Sequence, residues 1–452
     1  MNIIITGDGR VGTTLARGLL LEGHDVTLID SSETLQDSTT QEYDVLIVKG
    51  NCAAMDTLLD AGVKDADLLV AATGKDEINL LCCTTAHGIN PNLHTIARIR
   101  NPEYTNQIYA LRHVFGLSMV VNPERQAATE IDRLLKYPGF LRRETFAKGK
   151  AEIVELRIDG KCKLCNVSMT ALNNVIGCKV LVCGVLRNGR AIAPTGQFTL
   201  REGDRIFVTA PTENLTKLLK SMGIITRRAR RVMLCGGDRI SVYLTQMLEK
   251  DGIEVTLIEQ DEEKCKLLSA ALPRAHVLHG DATDQALLES NGISTCDALV
   301  ALTGLDELNM IISLYGQTSG VPHVITKLGR IENRRLVDTL SLGSVVAPKD
   351  LCCNAIIRYV RAMHNQTGAA ISVHSIAEDQ MEAVEFLVGE QTLHCDTPLK
   401  HIKLKPNVLI ASITHGAHME IPAGNSRFTK GDTLVVVTNG RGLLQQLNDI
   451  FA

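Results

Sequence analysis

The sequence predicts an α/β chain built twice: two doubly wound parallel sheets, each followed by a small α+β lobe. Three observations carry this. Short continuous apolar runs alternate with amphipathic helices, the pattern of parallel strands buried on both faces. A glycine-rich turn joins the first strand to the first helix. The whole plan then recurs about 229 residues later, as when Glu259 takes the place of Asp30.

Residues 2–30 set the plan. Ile3, Ile4 and Ile5 form an apolar run bounded by Gly7, Gly9 and Gly12 in G-x-G-x-x-G spacing. Val11, Leu15, Ala16 and Leu19 keep helical spacing behind it, Gly23 stops the helix, and a second run, 26–29, ends on Asp30. This is the Rossmann-like fingerprint. Gly7 permits the tight turn, Gly9 lets a pyrophosphate approach the backbone, and Gly12 lets the helix pack close to the strand. The helix N-terminus supplies amide donors and a partial positive charge. The loop Gly7, Asp8, Gly9, Arg10, Val11 and Gly12 is therefore expected to cradle a dinucleotide. Asp30, 21 residues past Gly9, can accept the hydroxyls of an adenine ribose. Ser31 and Ser32 follow it, so no neighbouring cation offsets a 2′-phosphate, and NAD(H) is favoured over NADP. ATP or ADP presents the same ribose and a diphosphate.

The first half continues in kind. Residues 45–48 form a third strand before Gly50, Asn51 and a helix over 55–60. A fourth strand, 68–72, ends in T-G-K-D-E-I-N at 73–79, a fifth spans 94–98, and a sixth precedes Asn122-Pro123. Ligand is expected at the carboxyl ends of these strands, where Asn51, Thr73, Gly74 and Arg98 fall. The 73–79 segment reads as a helix start, with Thr73 as cap and Asp76 and Glu77 favoured by the dipole. It also reads as a ligand contact, because a Gly after Thr at a central strand end lets a backbone amide face the site. Both roles are expected together.

An amphipathic helix over 124–137 then leads to Pro138-Gly139, and the pattern changes to alternation over 152–158 and a strand-like run over 179–186. Pro194-x-Gly196 and Glu202-Gly203-Asp204 flank short strands, and a helix over 213–222 closes this lobe. The basic run 226–231 is a solvated linker. Beyond it Gly280-Asp281 answers Gly50-Asn51, Thr303 answers Thr73, Lys327 answers Arg98, and Lys430-Gly431-Asp432 answers Glu202-Gly203-Asp204. A second helix, 350–364, answers 124–137. The expected units are 1–123, 124–225, 230–348 and 349–452.

The second glycine loop departs from the pattern. Aligning Arg239-Ile240 with Arg10-Val11 puts Asp238 where Gly9 stands and Ser241 where Gly12 stands. Gly236 keeps its place, and Gly237 takes the tolerant middle position. Asp238 brings a negative charge towards a diphosphate; at 4 Å two like charges repel by about 1 kcal/mol in water and about 4 kcal/mol at intermediate dielectric. A second site built from Gly236, Gly237, Asp238, Arg239, Ile240, Glu259, Asp281, Thr303 and Lys327 is thus expected to bind more weakly, with Glu259 as ribose partner.

Composition sets the outer bounds. At 452 residues, 45% hydrophobic and 22% charged, the chain is a globular protein of two to four domains. Aromatic residues make up 3% with no Trp, and 47 basic stand against 51 acidic residues, which argues against nucleic acid as a partner. No apolar run approaches the roughly 18 residues that span a bilayer. The opening residues enter a strand directly, so no signal peptide and a cytoplasmic location are expected. Thirteen cysteines, an odd number scattered through apolar segments such as Cys82-Cys83 and Cys352-Cys353, read as reduced core residues. Cys162-x-x-Cys165 has no second pair at zinc-site spacing, so no metal is expected. The rival function, an NAD-dependent oxidoreductase, needs an acid or base beside the nicotinamide. His87, His94, His276 and His279 sit in no recognisable constellation, and no enzyme is expected.

The combination of G-D-G-R-V-G with Asp30, T-G-K-D-E-I-N, Arg98 after a strand, and the P-x-G…E-G-D lobe resembles the RCK (KTN) family, twice in tandem over nearly the whole chain. The resemblance implies an RCK C-terminal lobe after each sheet and binding of NAD(H), ATP or ADP. It further implies a peripheral protein on the cytoplasmic face of the inner membrane, regulating a potassium-translocating integral membrane subunit of the Trk type. A ring-like homo-oligomer is implied as well. A regulator of another potassium channel or efflux system would use the same fold.

Overall fold

The computed structural model describes residues 1–7, 9–31, 45–136, 141–160, 162–222, 229–329, 340, 342–364, 370–377, 380–440, 444 and 446–452. Six parallel strands form the first sheet: β1 (Asn2–Thr6), β2 (Asp25–Asp30), β3 (Leu46–Lys49), β4 (Leu68–Ala71), β5 (His94–Arg98) and β6 (Met119–Val121), in the order β3-β2-β1-β4-β5-β6. The order reverses between β1 and β4, so the crevice above these two strand ends is the natural ligand position. Alternate side chains of β1 serve opposite faces: Ile3 and Ile5 pack with Leu15 and Leu19, Ile4 with Leu58, Cys82 and Cys83.

The first small lobe is an antiparallel sheet of β7 (Arg142–Phe146), β8 (Ala151–Arg157), β9 (Leu181–Arg187), β10 (Arg190–Ile192) and β11 (Arg205–Thr209), ordered β10-β9-β11-β8-β7. The second parallel sheet contains β12 (Arg231–Cys235), β13 (Glu254–Glu259), β14 (His276–His279), β15 (Ala298–Ala301), β16 (His323–Lys327) and β17 (Ser344–Val346), ordered β14-β13-β12-β15-β16-β17. This is the first order repeated. The second small lobe, β18 (Ala370–Ile376), β19 (Met381–Leu387), β20 (Val408–His415), β21 (His418–Glu420) and β22 (Thr433–Asn439), repeats the small-lobe order as β18-β19-β22-β20-β21. The Gly-Asp turns lock these lobes. Asp204, 1% exposed, accepts Arg187 Nε at 2.7 Å and the Arg201 amide at 2.7 Å, and Asp432 accepts the Thr429 amide at 2.6 Å. The two small lobes share one core, in which Val185 and Phe207 meet Met381 and Ala411.

The amphipathic helices that follow each parallel sheet are exchanged. Helix Pro123–Lys136 buries Ala127, Ala128, Ile131, Leu134 and Leu135 in the core of the second parallel lobe, against Ile240 and Leu244 of helix Arg239–Lys250. Helix Pro348–His364 places Cys352, Cys353, Ile356 and Val360 in the core of the first, against helix Arg10–Leu21. A Cβ on Gly18 would stand 2.9 Å from Ile357 Cδ1, so that glycine sets how closely the incoming helix lies. Each exchanged helix ends on a cation paired with an acid of the lobe it covers: Arg361 Nε with Glu22 at 3.1 Å, and Lys136 with Asp251 at 2.9 Å.

Ile356→Ala lies in the second half but empties space in the first lobe's core. It is expected to destabilise that lobe by about 2–5 kcal/mol. Hydrogen exchange should report lost protection at Ile3, Ile4 and Ile5 and little change at Val232, Met233 and Leu234; the opposite pattern would contradict the exchange.

Candidate functional site

The first site forms where β1, β4 and β5 end. Gly7 has φ +95°, and a Cβ there would stand 3.0 Å from the Thr73 backbone. A Cβ on Gly12 would fall 2.0 Å from the Gly7 carbonyl oxygen, so the helix can start this close to the loop only with glycine. Gly9 differs: a Cβ on it would meet nothing within 4 Å. It is the N-cap of helix Arg10–Leu21, in extended conformation, and no side chain caps the helix. At the positive end of this helix's dipole the cap position therefore supplies no side-chain acceptor to the first amides. Val11 is buried in the core and can offer a ligand only its amide. Asp8 lies outside the described residues, and Arg10 enters here through its backbone alone.

Asp30 closes β2 and is partly exposed. Its carbonyl accepts the Gly50 amide at 2.9 Å, which ties the Gly50-Asn51 turn to the same edge. Asn51 is exposed, and its Oδ1 accepts the Ala53 amide at 3.1 Å.

The T-G-K-D-E-I-N segment is a brace. Asn79 is fully buried; its Oδ1 accepts the Thr73 amide at 2.8 Å and the Thr73 hydroxyl at 2.7 Å, while its Nδ2 donates to the Arg98 carbonyl at 2.8 Å. The ends of β4 and β5 are thereby bolted together. Asp76 Oδ2 accepts the Arg100 and Asn101 amides, both at 2.8 Å. The expected capping by Thr73 does not occur: the N-cap of helix Asp76–Ile89 is Lys75, and the Thr73 hydroxyl, which donates to Asn79, accepts the Lys75 amide at 3.4 Å ahead of the helix. A Cβ on Gly74 would meet nothing within 4 Å. Asn79 and Asp76 were not among the expected site residues; their recurrence as Asn309 and Asp306 was the available signal.

Arg98 Nη2 donates to the Thr73 carbonyl at 2.7 Å, and burial, with Arg100 nearby, pushes its pKa down. Glu124, on the first turn of the exchanged helix, has its carboxyl pKa raised by burial, against the pull of Arg100, Arg98 and Arg239. Tyr243 of the second lobe donates its hydroxyl to the Arg100 carbonyl at 3.2 Å and accepts Asn122 Nδ2 at 3.0 Å. The edge of the first site is thus in contact with the second lobe.

The second glycine loop keeps the backbone path with different chemistry. Gly236 has φ +110°, and a Cβ would stand 2.8 Å from the Leu302 backbone. Asp238 caps helix Arg239–Lys250, its Oδ1 accepting the Ser241 amide at 3.1 Å, while its Oδ2 meets Lys327 Nζ at 2.6 Å. Ser241 turns the Gly12-type clash into a hydrogen bond, its hydroxyl donating to the Gly236 carbonyl at 2.5 Å. Glu259, 7% exposed, accepts the Gly237 amide at 2.8 Å and the Asp261 amide at 3.0 Å. Gly237 is not at a tolerant position: a Cβ would meet Leu268 Cδ1 at 2.5 Å and Glu259 Oε2 at 2.9 Å, because the loop leans onto Glu259. Arg239 is exposed and Ile240 buried. Asp281 Oδ1 accepts the Thr283 amide at 2.8 Å, and Asn309 braces Thr303 and Lys327 as Asn79 braces Thr73 and Arg98.

The histidines are dispersed. His94 Nδ1 lies 2.8 Å from the Tyr359 hydroxyl, and His279 Nε2 lies 3.1 Å from the Gln260 carbonyl.

The family model of the TrkA-N domain matches residues 3–123 and again 232–348, and that of the TrkA-C domain matches 153–223. A Trk system potassium uptake protein TrkA homolog of Archaeoglobus fulgidus is 32% identical over 436 residues, covering 96% of this chain and 97% of its own. The Trk system potassium uptake protein TrkA of Haemophilus influenzae is 28% identical over 456 residues, covering 100% and 98%. Among solved structures, the GsuK channel bound to NAD matches with a TM-score of 0.60 at 17% identity, over 97% of this chain and 76% of that one. With both parallel lobes matched by one model and a relative aligned from end to end, the chain belongs to the TrkA family of Trk system potassium uptake proteins.

Proposed function

We propose that this chain is the nucleotide-sensing regulatory subunit of a potassium uptake system. NAD(H) binds the first site as an effector, nothing is turned over, and a potassium-translocating membrane subunit responds. The observation that carries the reading is the contrast between the two loops. The first presents an uncapped helix N-terminus behind Gly9, with Asp30 on the same sheet edge; the second fills that place with its own Asp238 and Lys327. Family membership supports the potassium system, and the NAD-bound GsuK channel supports the ligand class on this fold. ATP or ADP would use the same ribose and diphosphate contacts.

In this reading Gly7 to Gly12 hold the diphosphate through backbone amides, Asp30 takes the ribose hydroxyls, and Asn51, Thr73, Gly74 and Arg98 line the remaining strand ends. The four units run 1–123, 124–225, 230–348 and 349–452, with the exchanged helices as the moving parts. A ligand shifts such an assembly only by its differential affinity for two arrangements, so coupling of about 1–3 kcal/mol is the working scale. Arg98 and Arg100 face Glu124 of the exchanged helix, which gives the first site a direct path to the second lobe. Self-association into a ring beneath the membrane partner would add such shifts across copies.

Asp30→Ala is expected to weaken NAD binding by about 1.5–3 kcal/mol, the cost of a lost charged hydrogen bond. Unchanged affinity by calorimetry would sink the ribose assignment. Asp238→Gly removes the internal anion and leaves Lys327 to meet a diphosphate, so the calorimetric stoichiometry should rise from one NAD per chain to two; a stoichiometry that stays at one refutes the charge argument. Cells lacking the protein should lose potassium uptake at limiting external potassium, and the purified chain should leave NADH unoxidised across a broad substrate panel. Steady NADH turnover with uptake intact would favour an oxidoreductase instead.

A further inference from the structure

The small lobes repeat at an offset of 230 residues, which carries Glu155 to Glu385 and Ala147 to Ala377. Both alanines hold positive φ, 50° and 52°, so the repeat is structural as well as sequential. The same offset carries Glu144 of β7 to His374 of β18, and these two counterparts touch. His374 Nδ1 stands 2.5 Å from Glu144 Oε2. His374 is 3% exposed, and the Phe146 ring meets it edge-on with centroids 4.8 Å apart. A faithful repeat would set two carboxylates against each other here. The second lobe has an imidazole instead, and the contact becomes attractive.

The exchanged helices, which pack on each other, come to the same place. Arg358 of helix Pro348–His364 reaches the other ring nitrogen, its Nη1 3.4 Å from His374 Nε2. Burial works against the charge of Arg358, Glu144 and Glu385 favour it, and Arg133 of helix Pro123–Lys136 opposes it. Glu385, on β19, already accepts the Ala147 amide at 2.9 Å and the Ser372 hydroxyl at 2.7 Å. Arg143, next to Glu144, is paired with Glu152 at 3.0 Å. The charged groups directly on His374 are therefore Glu144 and Arg358, with Glu385 and Arg133 behind them. Each of the two small lobes and each of the two exchanged helices contributes to this cluster.

A guanidinium donates and never accepts, so a hydrogen bond at His374 Nε2 requires that nitrogen to be bare. The imidazole is then neutral, with its one proton on Nδ1 beside Glu144. We infer that His374 is a proton sensor at the joint of the two halves, where a second proton, taken up at Nε2, frees Arg358 and loosens helix Pro348–His364 from the second small lobe. That proton removes the acceptor and sets two cations 3.4 Å apart. Glu144 holds the imidazolium, so Arg358 is the group that leaves. The Arg358 contact is thus present on the alkaline side and lost as pH falls. Histidine is the side chain whose charge ordinarily changes between about pH 5 and 8, which sets the window to search. Helix Pro348–His364 covers the first parallel lobe while Arg358 holds the second small lobe, so this one contact ties the core of the first half to the last sheet of the second. The glycine loops take no part, and the device stands independently of the dinucleotide reading.

The test is hydrogen exchange of the full-length protein, without nucleotide, at about pH 8 and about pH 5.5, corrected for the intrinsic pH dependence of amide exchange. At the lower pH the wild type should lose protection about fivefold or more over 356–360 and 372–374, the scale of a lost charged hydrogen bond. Strands β12 and β15 of the second parallel lobe should keep theirs. His374→Gln retains a neutral donor and acceptor and should stay protected at both pH values. Equal protection of the wild type at the two pH values overturns the proposal, as does a pH-dependent loss in His374→Gln as large as the wild type's. Arg358→Gln approaches from the other partner and serves where the first variant fails to fold. It removes the cation that the second proton repels, so its pH-dependent loss should shrink several-fold; a loss equal to that of the wild type overturns the proposal.

Discussion

The exchange of the two long helices is the constraint on which the rest of the molecule depends. A parallel sheet must be covered on both faces, and each sheet here lacks one layer of its own cover. Helix Pro348–His364 supplies it to the first lobe and helix Pro123–Lys136 to the second. The cores are therefore complete only jointly. Cys353 lies with its sulfur 3.7 Å from the Val11 carbonyl, so the exchanged helix touches the first turn of the helix that opens on the first site. The packing of the exchanged helix and the placement of that glycine loop are tied by this contact.

The two loops answer the same electrostatic problem in different ways. A helix N-terminus at the end of a buried strand leaves amides that need an acceptor. In the second lobe the acceptors are internal: Asp238 for the Ser241 amide and Glu259 for the Gly237 amide, with Lys327 balancing the charge of Asp238. In the first lobe Gly9 has no side chain to supply one. Asp238 in place of Gly9, with Ser241 and Lys327 in place of Gly12 and Arg98, thus gives the second lobe an ion pair of its own at the loop where the first lobe has glycine. The shared brace, Asn79 or Asn309, shows that the rest of the frame was kept in both.

Much of this was legible in the sequence, for identifiable reasons. The buried parallel sheets follow from continuous apolar runs and crossover helices, and the loop glycines declare themselves by spacing. The exchange was not legible. The apolar face of 124–136 is amphipathic whichever lobe it covers, and nothing local names the partner. Thr73 looked like a helix cap, but the helix starts at Asp76 with Lys75 as its N-cap, and Thr73 bonds to Asn79, six residues on, once the strand end and helix start fold together. Gly237 looked tolerant because its crowding comes from Leu268 and Glu259, which tertiary packing brings to it. The second small lobe lies outside the TrkA-C match, yet its strands repeat the order of the first, so its topology outlasted its sequence signature.

The exchange also sets a timetable for synthesis. Helix Arg10–Leu21 is made well before the helix that buries its outer face, which ends at His364. At the roughly 5–20 residues per second of translation, that face waits on the order of 20–70 seconds for its cover. During this interval Leu15 and Leu19 belong to an unfinished core, while helix Pro123–Lys136 is already made and has no second lobe to cover. The nascent first half therefore holds an uncovered lobe and an unplaced helix of complementary character at once. A transient pairing of the two would protect both, and it would have to be undone when the second half arrives.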